Sequence, residues 1–275
     1  MLNQEKLITV YHPITSKPYA YNQSYTELQP CASLAPYIRC FWGTDGPITE
    51  KNEKTTIVIP DTCMDIIFHF DAESKVLDSG FCVMDEKPYS ANESASFAST
   101  FAIRFYGWAA VLFAGDKFTG CRNQAFDVDM FFPGMKREML PLIMNVTSLE
   151  KRVEIASRYL LRKLTLKRLN NNFMNAVYDI IDMRGTLKVE EVSAQNAISK
   201  RQLERIFDEN MGISPKNFSS LVRHQMLWHD LCYQKGMDMF DLINKYSYYD
   251  QAHLLNDFKK YHGMPPKQAI EFAVG

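Results

Sequence analysis

The stretch ISKRQLERIFDENMGISP, residues 198–215, decides how the chain is read. Ser199 and Gln202 make an S-x-x-Q capping box, whose side chains satisfy N–H groups left open at the start of a helix. The spacing predicts a helix from Ser199 to Asn210, with Leu203, Ile206 and Phe207 inward and Gly212 as its stop. Lys200, Arg201, Glu204, Arg205 and Asp208 then fall on the outward face. Upstream, Val189 to Gln195 reads as a short helix and Asn196-Ala197-Ile198 as a tight turn. Two short helices joined in this way present the second to the major groove of DNA.

The arrangement recurs downstream. Ser214-Pro215 is an N-cap followed by an N1 proline, and it opens a long helix through Phe218, Leu221, Val222, Met226 and Leu231 to Gly236. Asp238 caps a helix from Met239 to Tyr246, a turn follows at Ser247-Tyr248-Tyr249, and Asp250 caps a helix to Tyr261 that Gly263 ends. Pro265-Pro266 opens a last short helix. Two such units on one connecting helix suit successive major-groove segments, about 34 Å apart.

Working toward the N-terminus, Asn170-Asn171-Asn172 reads as a linker, because asparagine is a poor helix former that favours turns. After it, Phe173, Met174, Val177, Ile180 and Ile181 keep helical spacing up to Arg184-Gly185. Before it, residues 136–145 read as a short helix and 149–169 as a longer one, with Val153, Ala156, Leu160 and Leu164 as its apolar stripe. That stripe either packs on the rest of the N-terminal half or pairs with its copy in a dimer. Up to about residue 132 the signal is short strands. Residues 55–59 are β-branched and end at Pro60-Asp61, residues 65–70 alternate with Ile66, Phe68 and Phe70 on one face, and residues 76–84 and 96–106 read as further strands. Turns are expected at 43–47, 71–74, 85–88 and 115–116. Strands at this spacing predict a β-barrel or sandwich. The organisation is therefore α+β: a β-rich domain with flanking helices at 1–169 and an all-α domain with two helix-turn-helix units at 170–275.

Composition bounds the function classes. The 275 residues are 46% hydrophobic and 23% charged, which excludes a mainly disordered chain. No apolar run reaches the roughly 18 residues needed to cross a bilayer, and the N-terminus has no signal-peptide pattern, so a cytoplasmic protein without membrane association is expected. Six dispersed cysteines and six scattered histidines show neither disulfide nor metal spacing, and no nucleophile–base pattern stands out. An enzyme, a cofactor and a metal centre are not expected.

Residues 198–215, followed by YYDQAHLLNDFKKYHGMPPK at 248–267, resemble the DNA-binding domain of AraC/XylS-type bacterial transcription regulators. The shared pattern is S-x-x-x-L-x-R-x-F, then G-x-S-P, F-x-D-x-S-x-F-x-x-x-F-K and G-x-x-P, over about ninety residues. More weakly, the N-terminal half resembles the β-rich sensor domain in one branch of that family, through Pro30–Trp42, the P-D-x-x-x-D-I-I-F of Pro60–Phe68, and Ile103–Phe105. The resemblance implies a cupin-like β-barrel that binds a small-molecule effector or mediates homodimerisation, double-stranded DNA as partner, and RNA polymerase as a further one. By position it implies DNA contacts from Lys200, Arg201, Glu204 and Arg205 in the first unit, and from Gln251, Ala252 and Asn256 in the second. Lys259 and Lys260 suit phosphates, and Arg223 matches a family arginine read as structural.

Several positions depart from the pattern. Ala197 and Ser247 stand where the family has a turn glycine, so distorted or differently built turns are expected. Asn196 replaces an apolar residue and Ile243 a small alanine. Residues 170–275 hold 12 Lys+Arg against 13 Asp+Glu, whereas DNA-binding domains usually carry a basic excess. A second reading therefore stays open, in which a divergent homologue acts mainly through protein contacts with DNA binding weakened or lost. In the N-terminal half, Trp42, Arg104, Tyr106 and Trp108 are the candidate effector contacts, Arg104 as a guanidinium that could hold a carboxylate or phosphate.

Overall fold

The computed structural model describes residues 2–16, 18, 25–43, 56–91, 97–234 and 236–274. The expected turn residues 44–47 and the strand ends at Thr55 and Ser96 lie outside them. A short helix that sequence reading did not anticipate, α1 (Leu2–Val10), comes first and packs on α7 (Asn171–Asp182). The strands are β1 (Thr26–Leu28), β2 (Ile38–Gly43), β3 (Thr56–Val58), β4 (Cys63–Phe70), β5 (Val76–Cys82), β6 (Tyr89–Ala91), β7 (Ser99–Tyr106) and β8 (Ala125–Phe126).

Six of them form one antiparallel sheet in the order β1-β2-β7-β4-β5-β8, and β3 and β6 pair as a separate ribbon. The β-rich expectation holds, but the barrel does not close. Among the described residues the edge strands β1 and β8 pair with no common neighbour, and β8 has only two residues with which to extend the sheet. Register sorts the side chains of the central strands onto two faces, because period-2 alternation carries across each antiparallel pair. Phe41 and Ile66 both pair with Ile103, and Phe81 pairs with Ile66. With Phe68, Phe70, Phe101 and Phe105 they make an apolar face that is fully buried under the helices. The opposite face carries Cys40, Trp42, Asp65, His69, Thr100 and Arg104.

Helices α2 (Gly107–Ala110), α3 (Val128–Phe131), α4 (Met135–Glu138), α5 (Leu140–Met144) and α6 (Leu149–Lys163) follow. The single helix expected at 136–145 is thus two, broken between Glu138 and Leu140, just ahead of Pro141. The longer one stops at Lys163, and a 3₁₀ turn at Leu166–Arg168 replaces its last stretch. Asn170 does not open a linker: its side chain accepts from the Phe173 amide as the N-cap of α7, which is asparagine's other strong preference.

The remaining helices are α8 (Val189–Gln195), α9 (Lys200–Met211), α10 (Pro215–Tyr233), α11 (Met239–Lys245), α12 (Gln251–His262) and α13 (Pro266–Val274). One apolar cluster runs without interruption from the sheet through α7, α8 and α9 to the first half of α10, while a second gathers α10 to α13 with Ile59. Gly212 shows how tightly the halves meet. At φ 72° it ends α9, and a Cβ there would lie 2.1 Å from the Cys121 carbonyl oxygen. Gly212→Ala is expected to cost at least about 2 kcal/mol, since it combines a left-handed conformation with a backbone overlap; unfolding in urea against the wild type measures it.

Candidate nucleic-acid interface

The two helix-turn-helix units are built alike. In the first, the Ala197 amide donates to Ala194 O (3.1 Å) and the Ile198 amide to Ser193 O (3.1 Å). In the second, Ser247 donates to Asn244 O (3.3 Å) and Tyr248 to Ile243 O (3.0 Å). Both are the paired bonds of a helix C-terminus closed by a left-handed residue, and Ala197 (φ 50°) and Ser247 (φ 53°) adopt that conformation. The turns are not differently built; the strain is accepted instead. Ala197→Gly and Ser247→Gly are each expected to stabilise by about 1 kcal/mol, read as a raised unfolding midpoint.

Caps fix where each outward-facing helix begins. Ser199 Oγ accepts from the Gln202 amide (3.1 Å) and the Asp250 carboxylate from the His253 amide (2.7 Å). Asn196 gains a role from its departure: its amide donates to Asp179 (2.7 Å) and Val192 O (2.9 Å), tying the first turn to α7. In the second unit Arg223 stacks on the Tyr248 ring at 4.5 Å and donates to Asp257 (2.8 Å), which also accepts from Tyr248 OH (3.0 Å). Arg223 thereby holds α12 on α10, a structural place as expected.

All nine expected DNA-contact residues are exposed: Lys200, Arg201, Glu204 and Arg205 on α9, and Gln251, Ala252, Asn256, Lys259 and Lys260 on α12. Their charges are not equally free. Lys200 pairs with Glu190 at 2.7 Å, and Arg205 pairs with Glu209 at 2.9 Å. Glu209 also meets Lys117 of the N-terminal half at 3.1 Å, and the two cations hold its carboxyl below the usual range against the opposing effect of burial. Arg201 and Lys259 have no ion-pair partner among the described residues. Exposed pairs of this kind are worth about 0.3–0.5 kcal/mol and exchange readily for phosphate. Near Asn256, α12 thus carries its two lysines, whereas two of the three α9 cations are paired, Lys200 with Glu190 of α8 and Arg205 with Glu209 of α9 itself. Tyr249, 90% exposed beside the α12 cap, was not singled out from the sequence; its exposure emerges only from the packed turn.

The four candidate effector contacts do not converge. Trp42 Nε1 donates to Asp65 (2.8 Å), and Arg104 donates to Asp65 (3.0 Å) and to Asp61, so these residues share the polar sheet face. Burial pushes the Asp65 carboxyl up despite Arg104. Tyr106 and Trp108 instead stack on each other at 4.7 Å in the core, with Trp108 edge-on to Phe218 of α10. Clefts of about 240 and 360 Å³ lie around Gly115 and Arg168, and none of the four lines either. Among the described residues no group of three His, Cys, Asp or Glu side chains could hold a metal ion, and no helix is long and apolar enough to cross a membrane.

Residues 192–271 match the family described as a helix-turn-helix domain. The C-terminal segment is an AraC-type helix-turn-helix domain. Residues 26–127 match a domain of unknown function (DUF6597). Among solved structures, the C-terminal domain of the two-component response regulator yesN from Fusobacterium nucleatum is 20% identical over 34% of this chain and 93% of that one, with a TM-score of 0.31. ToxT from Vibrio cholerae is 8% identical over 92% of this chain and all of that one, with a TM-score of 0.44. A second ToxT structure, from strain O395, is 10% identical over 81% and 95%, at 0.41. No curated protein matches.

Proposed function

We infer that the chain is a sequence-specific DNA-binding transcription regulator whose N-terminal domain senses a small molecule. The observation that carries this reading is the pair of AraC-type units, each with its capped second helix exposed along the residues suited to DNA. Arg201 and Asn256 are proposed to read base edges, with Lys200, Arg205, Gln251, Ala252 and Glu204 beside them, while Lys259 and Lys260 bind phosphate. Strong salt dependence is expected, because each lysine or arginine that neutralises a phosphate releases counterions condensed on the DNA. Division at 169/170, a homodimer and contact with RNA polymerase are proposed with it. The effector is placed on the polar sheet face near Trp42 and Arg104, while Tyr106 and Trp108 act from beneath as packing.

Selection of genomic fragments by the purified full-length protein at two salt concentrations tests the reading. An enriched motif whose affinity falls steeply with salt is expected. Arg201→Ala and Asn256→Ala are each expected to cost about 1–3 kcal/mol on that motif and to relax preference at one position, whereas Lys259→Ala weakens all sequences alike. No enrichment at either salt concentration would sink the reading.

A further inference from the structure

The P-D-x-x-x-D motif of residues 60–65 is not used up by the strand it opens. Asp61 holds Arg104 on the polar face of the sheet and also accepts from the Cys63 amide at 2.7 Å. One atom group earlier in the chain, the Pro60 carbonyl accepts from Gln225 Nε2 at 2.9 Å. Gln225 is 1% exposed on α10, the helix that joins the two reading units. Its Oε1 accepts from the Ile14 amide at 2.9 Å, so this one side-chain amide is bonded to two separate segments of the N-terminal half. One turn along α10, Trp228 Nε1 donates to Thr15 O at 2.9 Å, and Ile59 packs into the same cluster as Trp228.

A buried glutamine between two backbone segments must keep both bonds, because an unpaired amide in that position costs about 1–3 kcal/mol. Residues 60 and 61 are thus held from both sides, by a guanidinium on the Asp61 carboxylate and by the Gln225 amide on the Pro60 carbonyl. Proline at 60 restricts how that grip can relax, since its φ is fixed by the ring.

We propose that Asp61 and Gln225 are positioning residues of one relay, Arg104 to Asp61 to the Pro60 carbonyl to Gln225, which sets α10 and the spacing of both recognition helices from the polar face of the sheet. The proposal rests on the regulator reading and adds to it the route by which occupancy of that face alters DNA reading. A ligand group that draws Asp61 or Arg104 away shifts the Pro60 carbonyl, and Gln225 carries the shift into the connecting helix.

The test is a double-mutant cycle in the full-length chain with Asp61→Asn and Gln225→Met. Hydrogen exchange of the α10 amides is the first readout. Each single variant is expected to speed exchange about three- to tenfold, and the double variant no more than the stronger single. Asp65→Asn takes a carboxylate from the same guanidinium at a strand position with no bond toward α10, and is expected to leave α10 exchange within about twofold. Unchanged α10 exchange in Asp61→Asn, or fully multiplicative effects in the double variant, would overturn the relay.

The second readout is one that general destabilisation does not move: DNA fragments with one or two base pairs inserted between the recognised segments. Both variants are expected to lose less affinity on insertion than the wild type, and an unaltered spacing dependence would overturn the positioning role. A wild type that binds no DNA would overturn the regulator reading, while the exchange cycle still decides the relay.

Discussion

Acidification from neutral pH to pH 5 is expected to destabilise the second helix-turn-helix unit, with His262 alone removing about 2 kcal/mol and His224 adding to the loss. His224 of α10 and His262 of α12 are fully buried with ring centroids 5.8 Å apart, and among the described residues neither ring nitrogen of either has a hydrogen-bond partner. His262 stacks on Phe258 at 4.8 Å and lies 4.5 Å from Trp228. Burial drives the His262 imidazole down to about 4, and burial together with its neighbour drives His224 well below its ordinary value. On the same elements, Arg223 is paired with Asp257 and Asp230 with Lys245.

Both groups therefore stay neutral in the fold while the unfolded chain takes up protons below its pKa of about 6.5. The unfolded state binds more protons in that window, so stability is present above it and is lost as pH falls. Asp85, pushed up to about 6 by burial, works in the opposite direction, discounted for its partial exposure. His262→Phe keeps the ring stack and removes one titrating group, so it isolates the histidine contribution. Urea unfolding at pH 7.5 and pH 5, followed by tryptophan fluorescence, should show the acid loss falling by about 2 kcal/mol in that variant. A variant with the wild-type acid loss would show that His262 is not responsible.

Arg104→Met is expected to cost about 3–5 kcal/mol at neutral pH, the usual consequence of removing one member of a buried ionic group. It leaves Asp61 and Asp65 with no cation between them on a sheet face where burial already raises the Asp65 carboxyl. The deficit should shrink as pH falls, because protonating a stranded carboxylate relieves its burial cost. Combining Arg104→Met with Asp61→Asn and Asp65→Asn should recover most of the loss, since a neutral set replaces an uncompensated one. Had Arg104 stood free to receive an anion, its replacement would change stability by less than about 0.5 kcal/mol. Unfolding of the three proteins at pH 7 decides the matter.

Much of the C-terminal half was legible because its signals are local. Ser199, Asp250, Gly212 and Gly263 announce helix ends through bonds made within a few residues, and the structure uses all four there. The same locality misled at Asn170, where a run that favours turns equally favours an N-cap. Open-sheet closure was beyond reach, since it depends on which edge strands find partners and not on any strand's own pattern. Arg104 is a similar case. Its side-chain type advertised anion binding, yet its partners come from positions 39 and 43 residues away along the chain.

The sequence by itself determined the two capped helix-turn-helix units, the residues on their outward faces and the β-rich character of the N-terminal half, because caps, turns and periodicity act over a few residues. Only the tertiary structure decided that one core runs through both halves, that Gln225 joins α10 to the Pro60-Asp61 peptide, and that His224 and His262 meet with no hydrogen-bond partner among the described residues. Those features depend on side chains brought together from distant positions, and neither spacing nor residue type specifies such meetings in advance.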